Sequence, residues 1–438
     1  MRRLVLVLLV ALASSALGAE KGKLVENIVT RTDATQTYTL YLPTSYDAAK
    51  KHPLLLIFDP RGRASLAAGI FRDAAEEYGW ILLSSNQTRS DDPNAPNGDA
   101  VRALLAETRL YAFDPKRLYA AGFSGTAVLS WRVGIHTRGL AGVIGVGGRS
   151  DETVPTEKFN FAHYGFAGER DFNNREMRVI DAALEGVVPH RFQSFDGDHR
   201  WIPAPLAREA LGWFEVLAGN EAVRAKVMAE DIAAAEKLQG VEAWRRWNAI
   251  QRTYGGVEDR IAKLDVAREL ADEKKWDEWE AQFVSGVFAR LGSLLAPILR
   301  EPVPRSADVA RAFRVKDLRR RAERPGAEGA TARRLLEAVF TTTSFYLPRQ
   351  LGASNEHAAA AAVLGVAVDI HPDRANPWYN LGCSHARAGN RRAALDALEK
   401  AISLGFNDAE HLAADEDLVS LREEKRFQEL VGLASGSQ

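Results

Sequence analysis

The change from a strand pattern to a helix pattern around one serine most constrains how this chain can fold. An apolar run leads into AGFSGT at residues 121–126, and helical periodicity follows over residues 127–136. A strand that passes into a helix through so tight a turn holds its serine at strained backbone angles, with the hydroxyl exposed above the sheet. Gly122 and Gly125 have a steric reason to flank it, because bulky neighbours would clash. Ser124 is therefore a candidate nucleophile on an α/β framework.

An acid and a histidine follow the serine, each after a further strand pattern. Residues 161–167 indicate a buried strand that leads to Asp171, and residues 187–195 indicate another that leads to His199. In an open parallel sheet, ligands bind outside the carboxyl ends of the strands. A serine hydroxyl is a weak nucleophile until an imidazole takes its proton, and a carboxylate holds that imidazole in the correct tautomer. We therefore predict a catalytic triad of Ser124, Asp171 and His199.

Each of these residues also has an ordinary structural explanation. A serine between glycines is frequently only part of a turn, and Asp171 could cap the helix predicted from about residue 174. Asp196 and Asp198 are rival acids, although residues so close to His199 in sequence would point their side chains away from it or into solvent. Three other histidines are predicted to be structural: His136, His163 and His190.

Residues 29–214 resemble an α/β-hydrolase domain of the capless esterase group, which includes polyhydroxybutyrate depolymerases, feruloyl esterases and esterase D-like enzymes. The resemblance rests on YLPTSY at 41–46, on HPLLLI at 52–57 and on the serine motif, and it covers just under half of the chain. It implies a sandwich with a mostly parallel sheet and ester hydrolysis through the three residues named above. Asp99 is a plausible N-cap of the helix that follows Gly98.

Two departures from the family pattern lie at the predicted site. After the third strand these enzymes usually carry His-Gly and then a residue whose backbone N–H binds the oxyanion, whereas this chain has DPRGR at 59–63. Pro60 has no N–H, so the resemblance places one donor at Arg61 and the other at Gly125. Thr126 stands where the motif usually has a final glycine or another small residue.

Arg61 has a second possible role together with Arg63. Both lie at the predicted site mouth and could bind an anionic substrate, although exposed arginines usually only solubilise a protein.

Composition narrows the function classes further. With 46% hydrophobic and 26% charged residues the chain is globular, and its formal net charge of −1 offers no electrostatic basis for binding nucleic acid. The histidines and carboxylates show no metal-site spacing, and no glycine-rich phosphate loop follows a strand. We predict no cofactor and no metal.

The N-terminus has the pattern of a secretory signal. Arg2 and Arg3 precede an apolar core at residues 4–12 and a small-residue region at 13–19. Residues 1–19 are therefore predicted to be a signal peptide, and the apolar run is too short to span a membrane. The single cysteine, Cys383, excludes an intramolecular disulfide, which is compatible with a bacterial periplasm or exterior. The predicted location is periplasmic or secreted.

Beyond the predicted hydrolase domain at 20–218, the pattern becomes helical. Residues 219–330 are predicted to form amphipathic helices, among them an arginine-rich helix over about 307–324 with Ser306 as a possible N-cap and a loop at 325–329 that ends it. The arginine cluster at 319–321 is interpreted as a solvated face. Tryptophans at helical spacings are interpreted as core between packed helices: Trp244, Trp247, Trp276 and Trp279.

Residues 331–438 resemble an array of tetratricopeptide repeats. Trp378, Leu381 and Gly382, followed by Ala394, Leu398 and Ala401, occupy the offsets of a helix–turn–helix unit of 34 residues. One repeat length earlier the pattern recurs in degenerate form, and residues 410–428 resemble a closing cap. Such units stack because one helix pair cannot bury its apolar face alone. The resemblance implies a possible protein partner.

Two function classes remain open from the sequence. The favoured one is an exported serine carboxylesterase that acts on a small-molecule or polymeric ester and carries a helical-repeat domain. The alternative is a protein-binding scaffold with a catalytically degenerate hydrolase domain, and an exported serine peptidase would use the same triad.

Overall fold

The computed structural model describes residues 20–148, 159–302 and 304–436, so the predicted signal peptide at 1–19 lies outside the described residues. The chain divides into two compact units between Leu270 and Ala271. The first unit is built on a sheet whose eight strands run in the order β1-β2-β4-β3-β5-β6-β7-β8. Their bounds are β1 Leu24–Val29, β2 Thr37–Tyr41, β3 His52–Phe58, β4 Ile81–Ser85, β5 Phe113–Phe123, β6 Leu140–Val146, β7 Ala162–Gly168 and β8 His190–Phe195.

The pairing of the strands defines the fold class. β2 is antiparallel to β1 and β4, and every other pair is parallel. Every residue of β3 is buried, as expected for a parallel strand covered by helices on both faces of its sheet. The helices of this layer are α1 Ala64–Tyr78, α2 Asn97–Glu107, α3 Gly125–His136, α4 Asn174–Ala183 and α5 Ala204–Leu217. This is the α/β-hydrolase fold, and the predicted fold class is confirmed.

The two faces of the sheet carry separate apolar cores. One core contains Phe71 of α1 and Trp213 of α5. The other contains Leu104 of α2 and Trp131 of α3. Because helices cover both faces, the carboxyl ends of the parallel strands remain the open edge at which side chains can meet a ligand.

Three helices follow this layer in the first unit: α6 Glu221–Ala235, α7 Gly240–Tyr254 and α8 Glu258–Ala262. Buried ion pairs join α6 and α7 to the sheet. Arg191 of β8 donates to Asp231 of α6 at 2.8 Å, and Arg246 of α7 donates to the other oxygen of the same carboxylate at 2.7 Å. The region predicted at 219–330 is therefore divided between the two units.

The second unit is helical throughout its described residues. It takes in most of α9 Ala267–Gly286, and then α10 Leu291–Leu299, α11 Ser306–Ala312, α12 Val315–Ala322, α13 Gly326–Thr341, α14 Leu347–Ala353, α15 His357–Ile370, α16 Ala375–Arg387, α17 Arg391–Ser403, α18 Ala409–Ala414 and α19 Lys425–Ser435. The stretch Ala267–Leu299 is long and apolar enough to cross a membrane by length and composition alone, and 17% of its most apolar window is buried. Phe283 and Leu295 within the stretch belong to the apolar core of this unit.

The helix boundaries correct several local predictions. The arginine-rich helix at 307–324 is two helices, because Arg314 between them adopts a left-handed conformation with φ 57°. The predicted loop at 325–329 instead begins α13 at Gly326. Ser306 is the first residue of α11 rather than its cap. Asp99 likewise lies in the first turn of α2, where it pairs with Arg102.

The segment that resembles repeats forms antiparallel helix pairs. Gly382 of α16 faces Leu398 of α17, and a Cβ at that glycine would lie 2.8 Å from the leucine side chain. Tyr379 of α16 stacks on Phe406 with ring centroids 4.3 Å apart. The earlier pair, α14 and α15, is preceded by a π-helical turn at Thr342–Tyr346. The first helix of that pair is thus short and irregular.

Candidate active site

Ser124 lies at the turn between β5 and α3, and its backbone is strained. Its φ of 57° and ψ of −130° are unusual for a residue with a side chain. The Ser124 N–H donates to the carbonyl oxygen of Val146 at 2.8 Å, which fixes the turn to the end of β6. Gly122, two residues earlier in β5, must be a glycine, because a Cβ there would lie 2.0 Å from the carbonyl oxygen of Thr126. The turn therefore presents a fixed hydroxyl at the carboxyl edge of the sheet.

The structure brings the predicted histidine and acid to this hydroxyl. His199 Nε2 lies 2.8 Å from Ser124 Oγ, and His199 Nδ1 lies 2.9 Å from each carboxylate oxygen of Asp171. Because the carboxylate can only accept, Nδ1 carries the proton and Nε2 is left to accept from the serine hydroxyl. This is the arrangement in which an imidazole can remove the proton of a serine.

Asp171 is held rigidly in its place. Its side chain has no solvent exposure, and Oδ1 also accepts from the backbone N–H of Asn173 at 2.8 Å. The Asn173 side chain in turn donates to the carbonyl oxygen of Gly147 at 2.7 Å. A Cβ at Gly147 would lie 2.6 Å from Asp171 Oδ2 and 3.1 Å from His199 Nδ1. Asn173 and Gly147, to which the sequence analysis assigned no role, thus shape the pair.

Two aromatic rings flank the imidazole. The ring centroids of Phe123 and Phe172 lie 4.6 and 4.5 Å from that of His199. The rings restrict how the imidazole can rotate, so His199 is kept in the plane that joins Ser124 to Asp171.

The rival acids lie elsewhere. Asp196 is paired with Arg170 at 2.9 Å on the surface, and Asp198 lies 4.0 Å from Arg200. The three histidines that were predicted to be structural, His136, His163 and His190, lie outside the triad. His163 is packed on Trp131 with ring centroids 4.2 Å apart, and His190 Nδ1 is bonded to the carbonyl oxygen of Val188. His136 closes α3, at the end opposite Ser124.

The loop after β3, residues 59–63, does not present the predicted oxyanion donor in free form. The Arg61 N–H donates to Asp59 Oδ1 at 2.8 Å. The N–H of Gly62 donates to the Asp59 carbonyl oxygen at 3.1 Å, and the N–H of Arg63 to Asp59 Oδ1 at 3.2 Å. Pro60 has none to give. The three backbone N–H groups that follow Pro60 are therefore all engaged by Asp59. The sequence could not reveal this, because it gives only the register of Arg61 and not the direction of its N–H.

Asp59 is completely buried and remains a carboxylate. Arg63 binds it through Nε at 3.1 Å and Nη2 at 3.0 Å, and the Trp201 indole N–H donates to Oδ2 at 2.8 Å. Burial by itself raises the pKa of Asp59, but the hydrogen bonds from Arg63, Trp201 and the loop N–H groups outweigh burial and hold that pKa below its usual range. Arg63 is thereby committed to Asp59, whereas the Arg61 side chain is exposed to solvent.

Gly125 is the first residue of α3 and is exposed to solvent. The first N–H groups of a helix have no partner within it, and its dipole favours negative charge there. The Gly125 N–H, next to Ser124, is therefore one of the donors that have no partner within α3. Ser90 from the loop after β4 lies against it, since a Cβ at Gly125 would be 2.5 Å from Ser90 Cβ.

Thr126, which departs from the family pattern, has a specific function in the packing. Its hydroxyl lies 2.7 Å from the carbonyl oxygen of Phe58 at the end of β3 and 2.7 Å from that of Phe123 at the end of β5. The threonine thus joins the serine turn to the strand that precedes Asp59. A glycine at this position would leave both strand ends without that bond.

No group of three or more potential metal ligands occurs among residues 20–148, 159–302 and 304–436.

The sequence matches no known protein family and no curated protein. A thermostable esterase has a similar structure, with 18% identity over 44% of this chain and 62% of the esterase and a TM-score of 0.37, so this chain spans less than two thirds of its length.

Two further solved structures are similar over comparable shares of the chain. A mutant feruloyl esterase module from Clostridium thermocellum, complexed with sinapinate, is 12% identical over 42% of this chain and 84% of the module, with a TM-score of 0.31. An esterase from the Planctomycetes species Thermogutta terrifontis is 13% identical over 45% of this chain and 94% of its own, with a TM-score of 0.34. The strand order and the serine turn described above define this part of the protein as an α/β-hydrolase fold.

Proposed function

We propose that this protein is a serine hydrolase that cleaves carboxylic esters through an acyl-enzyme. The observation that carries the proposal is the chain of hydrogen bonds from buried Asp171 through His199 to Ser124, with 2.9 and 2.8 Å between the heavy atoms. A hydroxyl on a strained turn at the open edge of the sheet, with a base already within hydrogen-bond distance, is suited to nucleophilic attack.

The reaction follows from the positions of these atoms. Ser124 Oγ attacks the ester carbonyl carbon while His199 Nε2 takes the hydroxyl proton, and the imidazolium is stabilised by Asp171. His199 then gives the proton to the leaving alkoxide, which departs as an alcohol and leaves an acyl group on Ser124. Water, deprotonated by the same imidazole, attacks the acyl-enzyme and releases the carboxylic acid.

The negative charge on the carbonyl oxygen is assigned to the N-terminus of α3. The Gly125 N–H and the dipole of this helix of 12 residues face the site next to Ser124. The Arg61 N–H already donates to Asp59 Oδ1, so it can bind the oxyanion only by sharing its hydrogen between the two oxygens. A donor of this kind typically contributes about 2.7–4 kcal/mol to transition-state stabilisation.

The test is covalent labelling by a fluorophosphonate probe, with Ser124→Ala as the control. The purified wild-type protein is expected to be labelled and to hydrolyse aryl esters, and the variant is expected to lose both while its thermal unfolding midpoint changes little. Residual full activity in Ser124→Ala would contradict the assignment of the nucleophile.

A scaffold function is the second candidate, because the engagement of Arg61 by Asp59 removes the free donor that the esterase group has at this position. On this hypothesis the folded wild-type protein would resist labelling, and its function would lie in the helical unit.

We further propose that residues 331–438 act as a tetratricopeptide-like module that binds a protein. A cavity of about 510 Å³ is lined by α14, α15 and α16, by the π-helical turn before α14, and by His411, Asp415 and Asp417. Among its lining residues are Phe345, which is 39% exposed, Pro348 and Tyr379. Export to the periplasm or exterior is the accompanying proposal, and a mature N-terminus near residue 19 or 20 in secreted material would support it.

A further inference from the structure

Asp59 has no place in the triad, yet it is the most heavily bonded side chain near it. Its two carboxylate oxygens accept five hydrogen bonds, from the N–H groups of Arg61 and Arg63, the Arg63 guanidinium through two nitrogens, and Trp201. A buried carboxylate is expensive to place away from water unless it is fully bonded, so this set of donors determines where the carboxylate sits.

One of these donors belongs to the segment that carries the base. Trp201 follows His199 by two residues, and its indole N–H donates to Asp59 Oδ2 at 2.8 Å across 142 positions of the chain. The indole ring packs edge-on against Phe71 at 6.1 Å and beside Phe123 at 5.7 Å. Phe123 in turn contacts the imidazole at 4.6 Å. The segment after β8 is thus fastened to the end of β3 by one directed bond.

We propose that Asp59 is a positioning residue for His199 and acts through the indole N–H of Trp201. The inference rests on the proposed hydrolase function. The other donors, Arg63 and the N–H of Arg61, hold the carboxylate still, and the bond to Trp201 transmits that fixed position to the base. Asp59 does not touch the reacting atoms, and its contribution is the distance between His199 Nε2 and Ser124 Oγ.

Two single variants test the link from its two ends. Trp201→Phe keeps a ring against Phe71 and Phe123 but removes the N–H. Asp59→Asn keeps an oxygen for the N–H of Arg61 but can place an amide NH₂ where Trp201 and Arg63 need an acceptor. A misplacement of about 1 Å costs about 10²-fold in rate. We expect each variant to lower kcat by about 10- to 100-fold with little change in KM.

The rate is measured per competent site, so that loss of folded protein is not counted as loss of positioning. The burst of product released from an aryl ester counts the reactive serines. The rate at which a fluorophosphonate phosphonylates Ser124, with loss of fluoride, is divided by that number. In the double variant the loss should be no greater than in the more impaired single variant, because both changes break the same bond. Additive losses would overturn the proposed route through Trp201.

Asp231→Asn is the matched control. Asp231 is another buried carboxylate of the first unit that is bound by two arginines, Arg191 and Arg246. This variant should lower the unfolding temperature and leave the phosphonylation rate per titrated site unchanged. If Trp201→Phe and Asp59→Asn behave in the same way, both residues are merely structural and the inference is overturned.

A measurement on the wild-type protein keeps the inference testable if a variant fails to fold. The indole proton of Trp201 should exchange slowly with solvent, because it is bonded to a buried carboxylate. Rapid exchange would overturn the inference. A wild-type protein that folds but is neither labelled nor active would instead overturn the hydrolase proposal itself, which separates the two failures.

Discussion

Gly147 follows β6 beside the bond between Asp171 and His199, and it shows how single residues without reactive groups control this site. Its φ of 54° lies in the left-handed region, and a Cβ would lie 2.6 Å from Asp171 Oδ2. Two independent demands, on backbone conformation and on space, therefore require glycine here.

Gly147→Ala should damage the site more than the fold. The left-handed conformation costs an alanine roughly 1–2 kcal/mol, and displacement of the Asp171–His199 pair should lower kcat by about 10²-fold. The control is Gly186→Ala. Gly186 also has a positive φ, 73°, but no heavy atom lies within 4 Å of the position that a Cβ would take there. Ester hydrolysis and urea unfolding are measured for both. Equal activity in the two variants would contradict this account.

At the scale of elements, the contact between α3 and β7 buries a titratable group. His163 of β7 is packed against Trp131 of α3, and both of its ring nitrogens are buried without a hydrogen-bond partner. Burial, with a smaller contribution from the charge of His190, lowers the pKa of His163 to about 3. The helix that follows Ser124 thus packs on a histidine that is neutral when the protein is folded.

This contact predicts a loss of stability in mild acid. The unfolded chain binds the His163 proton below pH about 6.5 and the folded protein only below about 3. Between these values the unfolded state holds more protons, so the free energy of unfolding falls as pH is lowered, by up to roughly 1.4 kcal/mol per pH unit. In His163→Leu this part of the slope should disappear while stability near pH 7.5 changes less. Urea unfolding at pH 7.5 and 5 measures it, and parallel losses in the two proteins would disprove it.

At the scale of the whole molecule, the first unit extends well past the sheet. The hydrolase layer ends at Leu217, but Arg191, which is 1% exposed, has its carboxylate partner Asp231 in α6. Trp213 donates to Thr253 of α7 at 3.2 Å. The helices α6 and α7 therefore complete the unit on the side of β8.

A fragment of residues 20–218 should accordingly be much less stable than one of residues 20–270. Removing one partner of a buried ion pair costs about 3–5 kcal/mol, and the shorter fragment lacks the partners of both Arg191 and Trp213. Thermal unfolding and fluorophosphonate labelling compare the two. Equal unfolding temperatures would show that α6 and α7 are dispensable. Residues 271–438 should separately give a helical circular dichroism spectrum.

Much of the fold could be predicted from local pattern. The strand–turn–helix at Ser124 and the strands that lead to Asp171 and His199 depend on periodicity and on small residues at a tight turn, which are properties of neighbouring positions. Some helix ends and breaks were predicted wrongly from the same local pattern. The helix expected at 307–324 breaks at Arg314, and the loop expected at 325–329 belongs to a helix.

The sequence by itself determined the order of the elements and the three residues that could form a triad, because strand ends and turn residues are encoded locally. Only the tertiary structure decided which acid faces His199, and that the N–H of Arg61 is occupied by Asp59. It also joined Trp201 to Asp59 across 142 positions. Directed hydrogen bonds between loops depend on where separate strands end in space, and a linear pattern does not carry that information.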